Sequence, residues 1–133
     1  MGCPKQILVV EDEFLIAIYV AHIMTDLGFG VIGPVGDIHQ ALGLAAERAL
    51  DGAILDVNLS GQLVFPVAAT LASRGVPFIL TSGYDANGLP VEWQGHPLLR
   101  KPVVERDLSG LARSVFLAGD GSRELKVSGV RQV

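Results

Sequence analysis

The chain has 133 residues, half of them apolar and 18% charged, with a formal net charge of −4. That length suits one ordinary domain, and the apolar content supplies a core that excludes an intrinsically disordered chain. The acidic balance, with a pI near 5.2, repels phosphate backbones and argues against a nucleic-acid partner.

A single cysteine, Cys3, cannot close an internal disulfide, which fits a reducing compartment. No apolar run approaches the roughly 18 residues that span a bilayer. The first residues lack the apolar stretch of a signal peptide, and Gln6 stands where a myristoylation pattern requires Ser or Thr. The expectation is a soluble cytoplasmic domain with no membrane attachment.

Taken in chain order, short apolar runs alternate with longer segments of helical period. Ile7-Leu8-Val9-Val10 stops abruptly at Glu11-Asp12-Glu13. Residues 13–27 put Ile16, Val20, Ile23 and Leu27 on one helical stripe, with Gly28 as the stop. Val31-Ile32 is a weaker strand before Gly33-Pro34-Val35-Gly36. Asp37 can cap a second helix carrying Ile38, Ala41, Leu42, Ala45 and Ala49. Ala53-Ile54-Leu55 ends at Asp56. A third helix is expected over 63–74, ending at Gly75, with Pro66 tolerable in its first turn. Phe78-Ile79-Leu80 ends at Thr81-Ser82-Gly83. The connection over 84–97 holds Gly88, Pro90, Gly95 and Pro97, so any helix there is about one turn, near 91–94, with Trp93 as its anchor. Leu98-Leu99 ends at Arg100-Lys101-Pro102, and a last helix over 104–117 buries Leu108, Leu111, Ala112, Val115 and Phe116.

Runs without polar alternation are the mark of parallel strands covered on both faces. Five such runs separated by helices predict an α/β fold, a parallel sheet with helices on both sides and right-handed crossovers. Residues 119–133 show no period and read as a flexible tail.

In that architecture the reactive crevice lies at the carboxyl ends of the strands. Glu11 and Asp12 follow strand 1, Asp56 closes strand 3, Ser82 closes strand 4 and Lys101 closes strand 5. At ~4 Å and an effective dielectric of about 20, each pair of carboxylates repels by roughly 4 kcal/mol. Lys101 offsets part of that, and an oxygen-loving divalent cation offsets more; Mg²⁺ favours one or two carboxylates with water and a phosphate oxygen. Carboxylates, ammonium and hydroxyl at one edge form a phosphoryl-handling set, because transferred phosphoryl spreads charge over three oxygens. Asp56, alone on the central strand, is the candidate to carry a covalent aspartyl-phosphate.

Four segments, Ile7 through Glu13, Ile54-Leu55-Asp56-Val57-Asn58-Leu59, Leu80-Thr81-Ser82-Gly83-Tyr84 and Leu99-Arg100-Lys101-Pro102, resemble in order and spacing the receiver domain of two-component response regulators. The resemblance covers about residues 5–118. It implies a flavodoxin-like, doubly wound five-stranded parallel sheet of order 2-1-3-4-5 with a short or irregular fourth helix. It implies that Asp56 accepts phosphate from a phosphohistidine on a histidine kinase or histidine phosphotransferase protein. Glu11, Asp12, Asp56 and the backbone carbonyl of Asn58 would hold Mg²⁺. Ser82 would be the switch hydroxyl, with Thr81 as its rival, and Lys101 would pair with phosphate oxygen next to a cis Lys101–Pro102 peptide. The output would be protein–protein interaction by a monomer or weak homodimer with no turnover substrate.

Two departures stand out: Leu98 occupies the place of the usual switch aromatic, and the fourth helix is stunted. With Ser82-Gly83-Tyr84 these features resemble the FAT GUY receivers, in which Tyr84 would take over part of the aromatic's role. The rival reading is a Mg²⁺-dependent small-molecule phosphatase or phosphotransferase. Against it, Asn58 stands where such enzymes place a second aspartate. A degenerate receiver serving only as an interaction module is disfavoured by the complete polar set. Each polar motif also has a plain reading: acids at a helix start, a cap, a solvated lysine, a turn. His22, His39 and His96 show no ligand spacing and read as structural. The face of helix 1 opposite its stripe carries Phe14, Leu15, Ile18 and Ala21, a candidate docking surface for a helical partner. Its plain alternative is burial against the last helix or in a dimer.

Overall fold

A computed structural model of the chain describes residues 3–84 and 86–117; the expected tail, 119–133, lies outside them. The five apolar runs form one parallel sheet from β1 (Gln6–Val10), β2 (Gly30–Val35), β3 (Gly52–Asp56), β6 (Phe78–Ser82) and β7 (Leu98–Arg100), in the order β2-β1-β3-β6-β7. Counting these five alone, that is the expected 2-1-3-4-5. Between β3 and the third helix lies a separate antiparallel hairpin of β4 (Asn58–Leu59) and β5 (Gln62–Leu63). The helices are α1 (Phe14–Asp26), α2 (Ile38–Glu47), α3 (Phe65–Ser73) and α4 (Glu105–Phe116).

Alternation along each strand divides the core between the two faces. Leu8, Val10, Ala53, Leu55, Phe78 and Leu80 point toward α2 and α3, while Ile7, Val9, Ile54, Ile79 and Leu99 point toward α1 and α4. All five residues of β3 and of β6 are buried. Such doubly covered strands leave only their ends for chemistry.

The structure corrects several boundaries. The buried stripe of α1 is Ala17, Val20, Ile23 and Met24; Ile16 and Leu27 pack at its edge, half-buried. Residue 17 fits closer to the sheet because it is small. Ala49 lies beyond the end of α2 and is exposed. Asp37 caps α2 as expected, accepting from Gln40 N–H at 2.9 Å. Strand β2 runs on through Gly33-Pro34 to Val35, with a register shift opposite Leu8 to Val10. It is an edge strand, where the missing N–H of Pro34 leaves no ladder bond unmade. The Gly33–Pro34 and Lys101–Pro102 peptides are both cis.

The third helix begins at Phe65, not 63, with Pro66 in its first turn. Residues 58–63 instead make the hairpin, paired Asn58 to Leu63 and Leu59 to Gln62. Its two-residue loop, Ser60-Gly61, has φ of +53° and +92°. Positive φ at both positions matches the right-handed twist of the flanking strands. Glycine accepts it freely; Ser60 carries a cost of about 1–2 kcal/mol. The connection over 84–97 holds two single 3₁₀ turns, Ala86–Gly88 and Val91–Trp93. Trp93 does anchor it, stacked on Phe65 with ring centres 5.4 Å apart. His96 stacks on Phe78 with ring centres 4.8 Å apart, a packing role in keeping with its structural reading.

Candidate functional site

Parallel topology brings the carboxyl ends of β1, β3, β6 and β7 to one edge, and the predicted polar residues meet there. Asp56 ends β3 and is 4% exposed; Glu11, directly after β1, is 5% exposed. Asp12 is half-buried beside them. Oxygens of Glu11, Asp12 and Asp56 lie within 4.8 Å of one another. Gly36 lets the chain cross close behind this pair: a Cβ there would stand 3.0 Å from the Asp12 Cα and 3.3 Å from the Glu11 carbonyl oxygen.

Lys101 reaches in from the residue after β7. Its Nζ lies 3.2 Å from Asp56 Oδ2 and 3.2 Å from Glu11 Oε1. The backbone fixes its approach, since Lys101 N–H donates to the Ser82 carbonyl at 2.8 Å. Asp56 Oδ1 accepts from Asn58 N–H at 3.3 Å, and Glu11 Oε2 accepts from Glu13 N–H at 3.1 Å. Ser82 is buried, and its Oγ accepts from Tyr84 N–H at 2.9 Å.

Ser82 and Asp56 line one cavity of about 140 Å³, with Leu63, Phe65, Tyr84 and Leu89 among its walls. Thr81, buried one residue earlier, is not part of that lining. Alternation sends the two hydroxyls to opposite faces of the sheet, and Ser82 is the one that lines the cavity with Asp56.

Burial of two carboxyls around one ammonium sets the electrostatics. Burial pushes the Glu11 carboxyl up from an ordinary 4.5 to about 7, and the neighbouring Asp56 charge adds to this. The Glu13 N–H and Lys101 pull the other way. Burial also raises Asp56, opposed chiefly by Lys101. For Lys101, burial acts to lower the value, but Asp56 and Glu11 outweigh it and hold the ammonium above its usual 10.5.

One ammonium is thus short of neutralising three acids. Oxygen-only donors, crowded and partly uncompensated, are the set a hard divalent cation takes. Glu11, Asp12 and Asp56 fit such an ion.

A pH dependence follows for the metal-free protein. Glu11 titrates higher folded than unfolded, so the stability it contributes is complete below about pH 4.5 and lost as pH rises through 7. Melting temperatures in chelator should therefore fall between pH 5 and pH 8 more steeply in wild type than in Glu11→Gln. Equal slopes would contradict this.

Two features escaped sequence reasoning. The hairpin places Ser60 Oγ as donor to Asp12 Oδ2, and the rings against which Trp93 anchors the 84–97 connection are Phe65, at the start of α3, and Phe78. The Ser60-Gly61 turn was the available signal for the first, and an aromatic at each of 65, 78 and 93 for the second.

No protein-family model matches the chain. It is similar to SdrG from Sphingomonas melonis Fr1, 35% identical with a TM-score of 0.72, over 89% of this chain and 97% of that one. The receiver domain of the sensor histidine kinase PA1611 from Pseudomonas aeruginosa PAO1, described with a magnesium ion coordinated in its active-site cleft, shares the fold. It has a TM-score of 0.69 and 23% identity over 84% of this chain and 97% of that one. The transcriptional regulatory protein PdtaR of Mycobacterium tuberculosis is 25% identical over 123 residues, 92% of this chain. The chain spans about 60% of that relative's length.

Proposed function

The chain belongs to the receiver domains of two-component response regulators, and from that premise we propose that it is a phosphorylation-controlled signalling switch whose phosphoacceptor is Asp56. The observation that carries the reading is Lys101 Nζ, 3.2 Å from the Asp56 carboxylate, with the Ser82 hydroxyl on the same cavity. An Asp56 oxygen forms the bond to phosphorus. The bond broken is P–N of a phosphohistidine on a histidine kinase or histidine phosphotransferase protein, and its electron pair stays on the imidazole. Lys101 meets one phosphoryl oxygen. Ser82, whose Oγ already accepts from Tyr84, keeps its own proton to donate to another.

Glu11, Asp12, Asp56 and the Asn58 carbonyl are the proposed holders of Mg²⁺. When bound, the ion neutralises charge gathering on the phosphoryl oxygens. The new group adds about −1.5 to −2 charge and three acceptors. Drawing Ser82 toward them shifts the Tyr84 backbone with it, and this is how the surface changes without an aromatic at position 98. The domain is a phosphoacceptor that catalyses only its own phosphorylation and hydrolysis. The small-molecule phosphatase reading is not favoured, because Asn58 provides no acid–base group and the cavity beside Asp56 is small for a metabolite. Among the described residues no helix is long and apolar enough to cross a membrane, which agrees with a cytoplasmic location.

Intact mass after incubation with acetyl phosphate and Mg²⁺ tests the proposal. Gain of one phosphoryl is expected, absent in Asp56→Asn and in chelator. A phosphoryl retained in Asp56→Asn would move the acceptor elsewhere.

Phe14, Leu15 and Ile18 are exposed on α1, with Ala21 half-buried, so this face is not covered by α4. It adjoins Glu11-Asp12 and is the proposed seat of the histidine-bearing partner. Ile18→Asp should slow phosphotransfer from that partner at least tenfold and leave acetyl phosphate kinetics unchanged. Equal slowing of both would oppose this.

A further inference from the structure

The β4–β5 hairpin touches two of the three site acids, and one of its contacts has no part in making the hairpin. Asn58 serves both ends: its N–H donates to Asp56 Oδ1, and its side-chain oxygen accepts from Gly61 N–H at 2.6 Å, closing the turn. The turn is therefore held by Asn58 and by the pairing of 58 with 63 and 59 with 62. Ser60 adds nothing to that closure. It instead occupies φ +53°, the one non-glycine residue with positive φ among the described residues. Its hydroxyl donates across 48 positions of sequence to Asp12 Oδ2. Glycine or asparagine suits this backbone better. Strain retained at a site edge, combined with a long-range hydrogen bond to a site acid, points from geometry to role.

We propose that Ser60 is a positioning residue for Asp12: it tethers one carboxylate oxygen so that the other is presented to the cation bound with Glu11 and Asp56. The proposal rests on the metal site argued above. Asp12 needs such a tether. It is half-buried, at a chain crossing that fixes its backbone through Gly36 but not its side chain. Lys101, which holds Glu11 and Asp56, makes no ion pair with it among the described residues. Partners that orient ligating groups commonly alter metal affinity by ten- to hundredfold when removed. Because Ser60 is exposed, the lower end of that range applies.

The test is direct Mg²⁺ titration of the intact protein by calorimetry, without any phosphodonor. Ser60→Ala removes the hydroxyl and keeps the strained backbone. Ser60→Gly removes the hydroxyl and relaxes the turn, so folding is not in question. Both should bind Mg²⁺ about tenfold more weakly than wild type, while Ser60→Gly melts higher than Ser60→Ala in chelator. Asp12→Asn should bind more weakly than either. Affinity in both Ser60 variants within twofold of wild type would overturn the tether and leave the metal site standing. Absence of saturable binding in wild type would overturn both.

Discussion

Lys101→Ala should lower the rate of Asp56 phosphorylation by acetyl phosphate at least a hundredfold. Loss of one preorganised donor at a charge-gathering transition state ordinarily costs about 10²–10³ in rate. Lys101 is placed to have that effect, with its ammonium 3.2 Å from Asp56 and its backbone fixed by the Ser82 carbonyl. Mg²⁺ affinity should not fall, because the ammonium and the cation compete for the same carboxylates. Lys101→Arg should rescue little, since a planar fork cannot replace a point charge in a space shared by Glu11 and Asp56. A time course of intact mass, set beside calorimetric Mg²⁺ titration, separates the two effects. A Lys101→Ala rate within tenfold of wild type would remove the residue from the reaction. Joint loss of rate and metal affinity would assign it to holding the site together instead.

The largest stability effect is expected in the strand that carries Asp56. Leu55 is fully buried in the centre of the sheet, against the α2 and α3 side of the core. Leu55→Ala loses transfer energy and leaves a cavity, a cost of about 3 kcal/mol. For a domain near this size that lowers the melting temperature by roughly 10–20 °C. Leu15→Ala deletes the same atoms from a side chain that is 80% exposed, and should stay within about 0.5 kcal/mol of wild type. Thermal melts of the two variants under one set of conditions check the pair. Similar shifts would mean that the α1 face is covered in the isolated protein, against the docking role proposed for Ile18.

How much of this was legible in the sequence varies by residue. Ile7 through Val10, Ala53 through Leu55 and Phe78 through Leu80 declared themselves as strands because full burial on both faces permits only continuous apolar runs. Asp37 was readable as a cap, since its carboxylate acts three residues away. The expected stripe on α1 shares Val20 and Ile23 with the buried one and differs in its flanks, because periodicity does not say which of Ile16 or Ala17 fits nearer the sheet. Of the hairpin over 58–63 the sequence pattern assigns only Leu63, to helix 3, and leaves the rest without an element, because two-residue strands are too short to show a period. His96 was readable as structural from its lack of ligand spacing, but the ring it stacks on, Phe78, was not, lying eighteen positions earlier and across an irregular connection.

The amino-acid order by itself determined the alternation of strand and helix, and so the edge at which Glu11, Asp12, Asp56, Ser82 and Lys101 had to fall. These follow from local pattern and from the one-way sense of a parallel sheet. Only the tertiary structure decided that Ser82 and not Thr81 shares a cavity with Asp56, that one lysine bridges two acids, and that Ser60 reaches Asp12. Those outcomes depend on side-chain directions and on contacts between segments dozens of residues apart, set by packing in three dimensions and carrying no periodicity along the chain.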